Sequence, residues 1–261
     1  MAVKSRKSER ITAWLLAAML LIFWETGARL NLWRPNLLPA PSSILHSLTI
    51  GFSDGSLAVA IQVSLTRMVI AFIAALFLGA IFGVILGAVP LLRKLILPVL
   101  TGLQTLPNIC WQPLGVVWFG ISEFSILFVT AISAIIAITI AVADGVVAID
   151  PLTIRATRMM GLTGIALWTR VLLPAAMPSL AAGAKLGWAF AWRGLLAAEV
   201  LSSAAKSAGL GQALNQSRSH NNMSQVFAVM TLLVLIGVIA DQLVFARIER
   251  MVRKNYGLVS A

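Results

Sequence analysis

An all-α membrane protein with six transmembrane helices is the fold class that the sequence predicts, on three observations. The chain of 261 residues is 59% hydrophobic and 11% charged, with a mean hydropathy of +0.94, whereas a soluble domain carries about 25% charged residues. So few charges would leave contiguous apolar patches facing water, and so hydrophobic a chain is not disordered. The charges also fall in groups separated by uncharged runs, several of them near the roughly 20 residues that cross a bilayer. Finally, the basic residues are distributed unequally between alternate loops.

The elements follow in order. A basic segment, residues 1–10, precedes an uncharged run from Ile11 to Trp24. A cleaved signal peptide would need a small-x-small site, and the candidate Thr26-Gly27-Ala28 is flanked by Glu25 and Arg29, so this run is read as a retained first span, about 11–28. Met68 to Leu92 gives 25 uncharged residues and a second span at about 66–91. The third, about 95–120, contains Pro98, Pro107 and Pro113 and should be one irregular span with a broken outer half. Phe124 to Ala143 supplies the fourth, about 124–146. The fifth, about 180–202, is interrupted by Lys185, Arg193 and Glu199, and the sixth covers about 223–246.

Sidedness follows from the positive-inside rule. With the N-terminus in the cytoplasm, inner segments hold Lys4, Arg6, Lys7, Arg10, Arg93, Lys94, Arg155, Arg158, Arg170, Arg247, Arg250, Arg253 and Lys254, which are 13 of the 20 basic residues. Outer loops hold Arg29, Arg34, Lys206 and Arg218. Both termini are therefore expected in the cytoplasm, with a basic tail at 247–261. The net charge of +11 is thus a topology signal, and no nucleic-acid partner is expected. Trp24, Trp33 and Trp118 fall near outer ends and Trp168 near the inner face, as in an interfacial belt.

Few residues could carry chemistry. One cysteine, Cys110, and two histidines, His46 and His220, exclude an internal disulfide framework and leave little for a metal enzyme or proton relay. Ala71, Ala75, Gly79, Gly83 and Gly87 recur every fourth residue on the second span, a stripe that lets another backbone approach closely. Charges at bilayer depth suggest function by default. Asp144, Lys185 and Asp241 fall near inner ends, where they can reach headgroups, and Glu199 lies near an outer end. Arg193 is the deepest; six residues before Glu199, it lies on a different face. Arg193, Trp192 and Glu199 are candidates for a translocation pathway, with structural pairing the alternative for Arg193.

The segment 150–178, DPLTIRATRMMGLTGIALWTRVLLPAAMP, is too long for a turn. Asp150 and Pro151 start a helix that runs to Met160, and Gly161 ends it. Thr163 can cap a second helix, expected to stop before Pro174. Met159, Met160 and Leu162 should be exposed around the turn, as a docking surface for a soluble partner or an element lying on headgroups.

This loop resembles that of the inner-membrane permeases of ATP-binding-cassette importers, which read Glu-Ala-Ala, three residues, Gly, nine residues, Ile-x-Leu-Pro. Here Arg155-Ala156-Thr157 is followed by Gly161 and then Val171-Leu172-Leu173-Pro174 at the same spacing. Arg155 replaces the glutamate and Thr157 the second alanine, so the glutamate's contacts do not carry over. The segments 37–45, 64–87, 106–120, 191–201 and 209–211 are similar to the nitrate, sulfonate, taurine and bicarbonate branch. The resemblance implies a type I importer permease fold of MetI-like kind, in a single domain over 11–261. It implies a periplasmic solute-binding protein, a second permease copy forming a homodimer, and a cytoplasmic ATPase dimer that binds ATP and magnesium, in a bacterial inner membrane. Arg155, Ala156, Thr157, Arg158, Met159, Met160, Gly161, Leu173 and Pro174 are then the coupling residues. The chain has no Gly-x4-Gly-Lys-[Ser/Thr] phosphate loop, so no cofactor is expected on it and no enzymatic step. The solute implied is a small anion such as nitrate, taurine or an aliphatic sulfonate, with a neutral or cationic vitamin or pyrimidine precursor as the alternative. A secondary transporter would show paired discontinuous helices, and the broken third span has no counterpart.

Overall fold

A computed structural model describes residues 2–34, 36–202 and 208–255, and all regular structure among them is helical. Lys206 and the tail beyond residue 255 lie outside the described residues, as do the side chains of Lys4, Arg6, Lys7, Arg10, Trp168 and Arg253. Helix α1 (Ala2–Arg29) leads through a turn to α2 (Pro41–Ser53) and the long α3 (Ser56–Ala88). The third span is α4 (Pro90–Gln104), a 3-10 turn (Asn108–Trp111) and α5 (Gln112–Phe119). Then come α6 (Glu123–Val147), α7 (Pro151–Met159), α8 (Gly164–Leu167), a π-helical segment (Trp168–Leu172) and α9 (Leu173–Leu201). The chain ends with α10 (Leu210–Ser219) and a continuous last helix, α11 (Met223–Ile239), a π segment (Ala240–Phe245) and α12 (Ala246–Asn255). Ser56–Ala88, Glu123–Val147 and Met223–Val252 are long and apolar enough to cross a membrane.

Helix α6 is the centre of the bundle, with α3 and α9 packed along it. The small-residue stripe of α3 makes one of these seams. A methyl group on Gly83 would stand 2.6 Å from Val142 Cβ and 2.8 Å from the Thr139 carbonyl, and Gly79 meets Ile138 in the same way. Gly87 faces Val146, and Ala71 and Ala75 are buried on the same stripe. The constant offset makes α3 and α6 parallel. In lipid, where apolar association gains little, such close backbone approach is what holds helices together. Helix α9 runs antiparallel, since Gly183 faces Ala141, Gly187 faces Ala134 and Ile138, and Gly194 faces Val129 and Ser133. The end of α6 at Val147 therefore adjoins the loop that leads into α9, which defines the loop end of the bundle.

Three expectations need correction. The uncharged run puts the second span at 66–91, but α3 begins ten residues earlier, at Ser56. A charge at 67 ends a hydropathy run; it does not end a helix whose arginine is paired inside the protein. The stretches between the first two spans and after the fifth, read as loops, contain α2 and α10, both too short to show as apolar runs. The second helix of the 150–178 segment does not stop before Pro174. It passes through a π segment into α9, which retains Pro174 in its first turn and Pro178 inside it. A proline clashes with the carbonyl four residues earlier, here that of Arg170, and the wider π turn holding that residue accommodates the ring.

Candidate coupling loop and translocation surface

Local chemistry fixes the loop. The Asp150 carboxylate accepts from the Leu152 amide at 2.9 Å, and Pro151 occupies the first turn of α7. At the other end the Leu162 amide donates to Thr157 O at 3.2 Å and the Gly161 amide to Arg158 O at 3.0 Å. This pair of bonds is a Schellman closure, which needs a left-handed residue at its centre; Gly161 supplies it with φ of +83°. The closure leaves Met159 and Met160 89% and 80% exposed. Arg155, Ala156 and Arg158 are exposed beside them, while Thr157 is half-buried and bonds back to Thr153 O. Leu162, expected at the exposed tip, is half-buried, because the closure folds its backbone back onto the end of α7. Leu173 is exposed and Pro174 half-buried where α9 begins. The result is a closed knob, apolar at its tip and basic on its flanks.

Helix α9 has two unlike faces. Gly183, Gly187, Ala191, Gly194, Leu195 and Ala198 are buried, the glycines against α6. Ala182, Leu186 and Arg193 are exposed. Arg193 stands eight residues before Leu201, about 12 Å inside the helix end, with its guanidinium 5.7 Å from the centre of the Phe190 ring. No ion pair to Arg193 occurs among the described residues. It borders a cleft of about 570 Å³ between α9 and the last helix, also lined by Trp192, otherwise largely buried. In the same cleft Lys185 Nζ lies 2.9 Å from Asp241 Oδ1. Lys185 and Asp241, expected to reach headgroups, thus hold each other, and Asp144 is held by Arg93 at 2.9 Å.

Glu199, grouped above with Arg193 along a pathway, is not on this surface. It is 0% exposed and sits in a closed polar knot with Arg67, which is 5% exposed. Arg67 donates twice to Glu123, at 2.7 and 2.6 Å, and once to Glu199, at 2.8 Å. The Ser64 hydroxyl lies within 2.8 Å of Glu199 and accepts from the Leu210 amide at 2.8 Å; the Gly211 amide donates to Glu199 at 2.9 Å. A charge this deep is stable only when its partners and hydrogen bonds are complete. The knot joins α3, α6, α9 and α10 at the end opposite the loop. Sequence reasoning missed Arg67, Ser64 and Glu123. The available signal was that Arg67 and Glu123 each border a long uncharged run.

The broken third span also meets α9. Asn108 Nδ2 donates to the Phe190 carbonyl at 2.9 Å, and buried Gln112 bonds the Ser202 hydroxyl at 3.3 Å. Interrupted backbone at membrane depth survives only where protein or a wet cavity satisfies it.

A helical bundle of apolar spans, with an exposed cation that has no ion pair among the described residues bordering a cleft and an exposed knob at one end, fits the membrane component of a transport system. The family of binding-protein-dependent transport system inner membrane components matches residues 75–254, and the chain belongs to it. The taurine transport system permease protein of Escherichia coli is 33% identical over 199 residues, 74% of this chain and 71% of its own. The nitrate import permease protein of Synechocystis is 25% identical over 239 residues, covering 87% and 84% of the two chains. In fold, the chain is similar to a subunit of the MetNI methionine ABC transporter in an inward-facing form. The TM-score is 0.55 at 23% identity, over 72% of this chain and 96% of that one. The chain is thus a multi-pass permease subunit of an ABC importer, with the MetI-like fold.

Proposed function

We propose that this permease passes a small solute bearing an oxyanion group, of the class of nitrate, an aliphatic sulfonate or the zwitterion taurine, across a bacterial inner membrane. Both termini and the α7 knob lie in the cytoplasm in this reading, supported by the 13 basic residues that fall on that side. The observation that carries the substrate class is Arg193, an exposed cation well inside the span with no ion pair among the described residues. A cation facing acyl chains costs about 2.5–3.5 kcal/mol or more, so its face of α9 belongs to a water-filled path or to a second copy. The names of the taurine and nitrate relatives agree with a solute that carries an oxyanion group.

A periplasmic binding protein delivers the solute to a permease dimer. Two separate ATPase subunits, which bind ATP and magnesium, seat the Met159–Met160 tip. Their closure moves α7, and the continuous path from the knob through the π segment into α9 carries that motion to Arg193. Ala156 must be small where α7 meets the ATPase, and Gly161 keeps the knob closed.

Uptake by the assembled importer tests both parts. Ala156→Trp or Gly161→Pro should abolish uptake with the protein still inserted, and normal uptake would remove the coupling assignment. Arg193→Ala should lower uptake about tenfold or more, the weight of one charge-assisted contact. Unchanged uptake at equal expression would return Arg193 to a structural role.

A further inference from the structure

We propose that the ATPase seated on the α7 knob meets it with an acidic wall, and that Arg155 and Arg158 are the residues that select this partner. The inference rests on the coupling reading above and deepens it, from where the knob docks to the chemistry of what it docks on.

Three observations converge. On α7, Leu152, Ala156 and Met159 form one stripe at helical spacing, with Leu152 67% and Met159 89% exposed. Arg155 and Arg158, also exposed, border that stripe. Half-buried Ile154 and Thr157 lie on the opposite face, so the stripe and its arginines point away from the rest of the chain. The charges are also uncompensated. Segment 150–178 carries Arg155, Arg158 and Arg170 against one carboxylate, Asp150, which accepts from the Leu152 amide. None of the three arginines has an ion pair among the described residues. Asp144 and Asp241 are held by Arg93 and Lys185, and Glu249 lines the cleft with Lys185. Finally, the pattern is not that of a helix lying on headgroups. Such a helix carries its basic residues on the face opposite its apolar one, where α7 has Ile154 and Thr157. The positive-inside rule asks for cations on this side of the membrane, not for two beside an outward apolar stripe. A groove that takes up the stripe must draw water from the guanidinium groups on its border. A desolvated guanidinium is stable only against an anion, and a carboxylate meets its two parallel N–H donors. The partner is therefore an ATPase whose groove has an apolar floor and carboxylates on the wall facing Arg155 and Arg158. An ATPase with a basic wall there is repelled, which is how the two arginines discriminate.

The test measures binding of the importer's own ATPase subunits to the full-length permease in nanodiscs, made of phosphatidylcholine alone or with phosphatidylglycerol. Arg155→Glu and Arg158→Glu should each weaken binding about tenfold or more in both lipids. Added NaCl should weaken the parent more steeply than either variant. Both side chains are exposed, so the permease should keep its melting temperature. As a second measurement, a water-soluble carbodiimide should join residue 155 of the Arg155→Lys permease to a carboxylate of the ATPase, identified by mass spectrometry of the linked peptides. Parent-like binding by both glutamate variants, a weakening confined to the phosphatidylglycerol discs, or no link from residue 155 to the ATPase would each overturn the proposal. If Ala156→Trp abolishes uptake while both glutamate variants bind the ATPase normally, the coupling reading stands and the acidic wall falls. If the glutamate variants release the ATPase while Ala156→Trp leaves uptake normal, the arginines seat the partner and the coupling assignment of Ala156 falls.

Discussion

Helix α9 carries two ionic clusters, one at each end of its span, and they differ in what surrounds them. Glu199 is sealed among Arg67, Ser64 and the Gly211 amide, with both carboxylate oxygens bonded. Lys185 and Asp241 share one contact at the edge of a cleft. The first arrangement fixes four helices to one another; the second leaves both partners free to exchange. Charge type does not separate them, since each pairs a cation with a carboxylate. Burial and the number of bonds do. Removing one member of a sealed knot strands the rest without water, whereas removing one member of an open pair lets solvent replace it.

Substitutions can break or sharpen this contrast. Glu199→Ala should have the largest effect, about 3–5 kcal/mol, because it leaves the Arg67 charge, the Ser64 hydroxyl and the Gly211 amide short of partners. It would be read as a large fall in melting temperature of the purified permease, or as loss of the folded protein. A melting temperature equal to that of the parent would show that the knot holds nothing together. Gly83→Leu should come next, at up to about 3 kcal/mol, since the seam with Val142 and Thr139 has no room for a side chain. It tests whether the α3 position that sets the knot's geometry depends on the dry seam below it. Ser64→Ala should cost about 1–2 kcal/mol by unpairing the Leu210 amide and one Glu199 contact. Asp241→Asn should change stability least, by no more than about 1 kcal/mol. A loss as large as that of Glu199→Ala would make the cleft pair a second clasp, and the two regions would cease to differ.

Much of the fold was legible from the residues. Uncharged runs marked the apolar helices because a bilayer demands them, and Pro107 and Pro113 marked a break that the structure shows between Gln104 and Gln112, while Pro98 is carried inside α4. The α7 knob was readable from Asp150, Pro151 and Gly161, whose effects act within one helical turn. What failed depended on distance. Arg67 looked like the limit of a span because its carboxylate partners lie 56 and 132 positions away. Glu199 looked like a pathway residue for the same reason. Pro174 looked like a stop because a π turn leaves no pattern in hydropathy.

The sequence by itself determined that the chain lives in a membrane, roughly where its long helices lie, which loops carry the positive charge, and the helix–glycine–helix form of the segment around Gly161. Each is set by composition or by interactions within a few residues. Only the tertiary structure decided which charges are sealed and which are open. Helical periodicity places a side chain on a face, but the element that covers that face is chosen by packing. The glycine seams set α3 and α9 on α6 in a register that closes Glu199 around Arg67 and leaves Arg193 and Lys185 at the rim of a cleft.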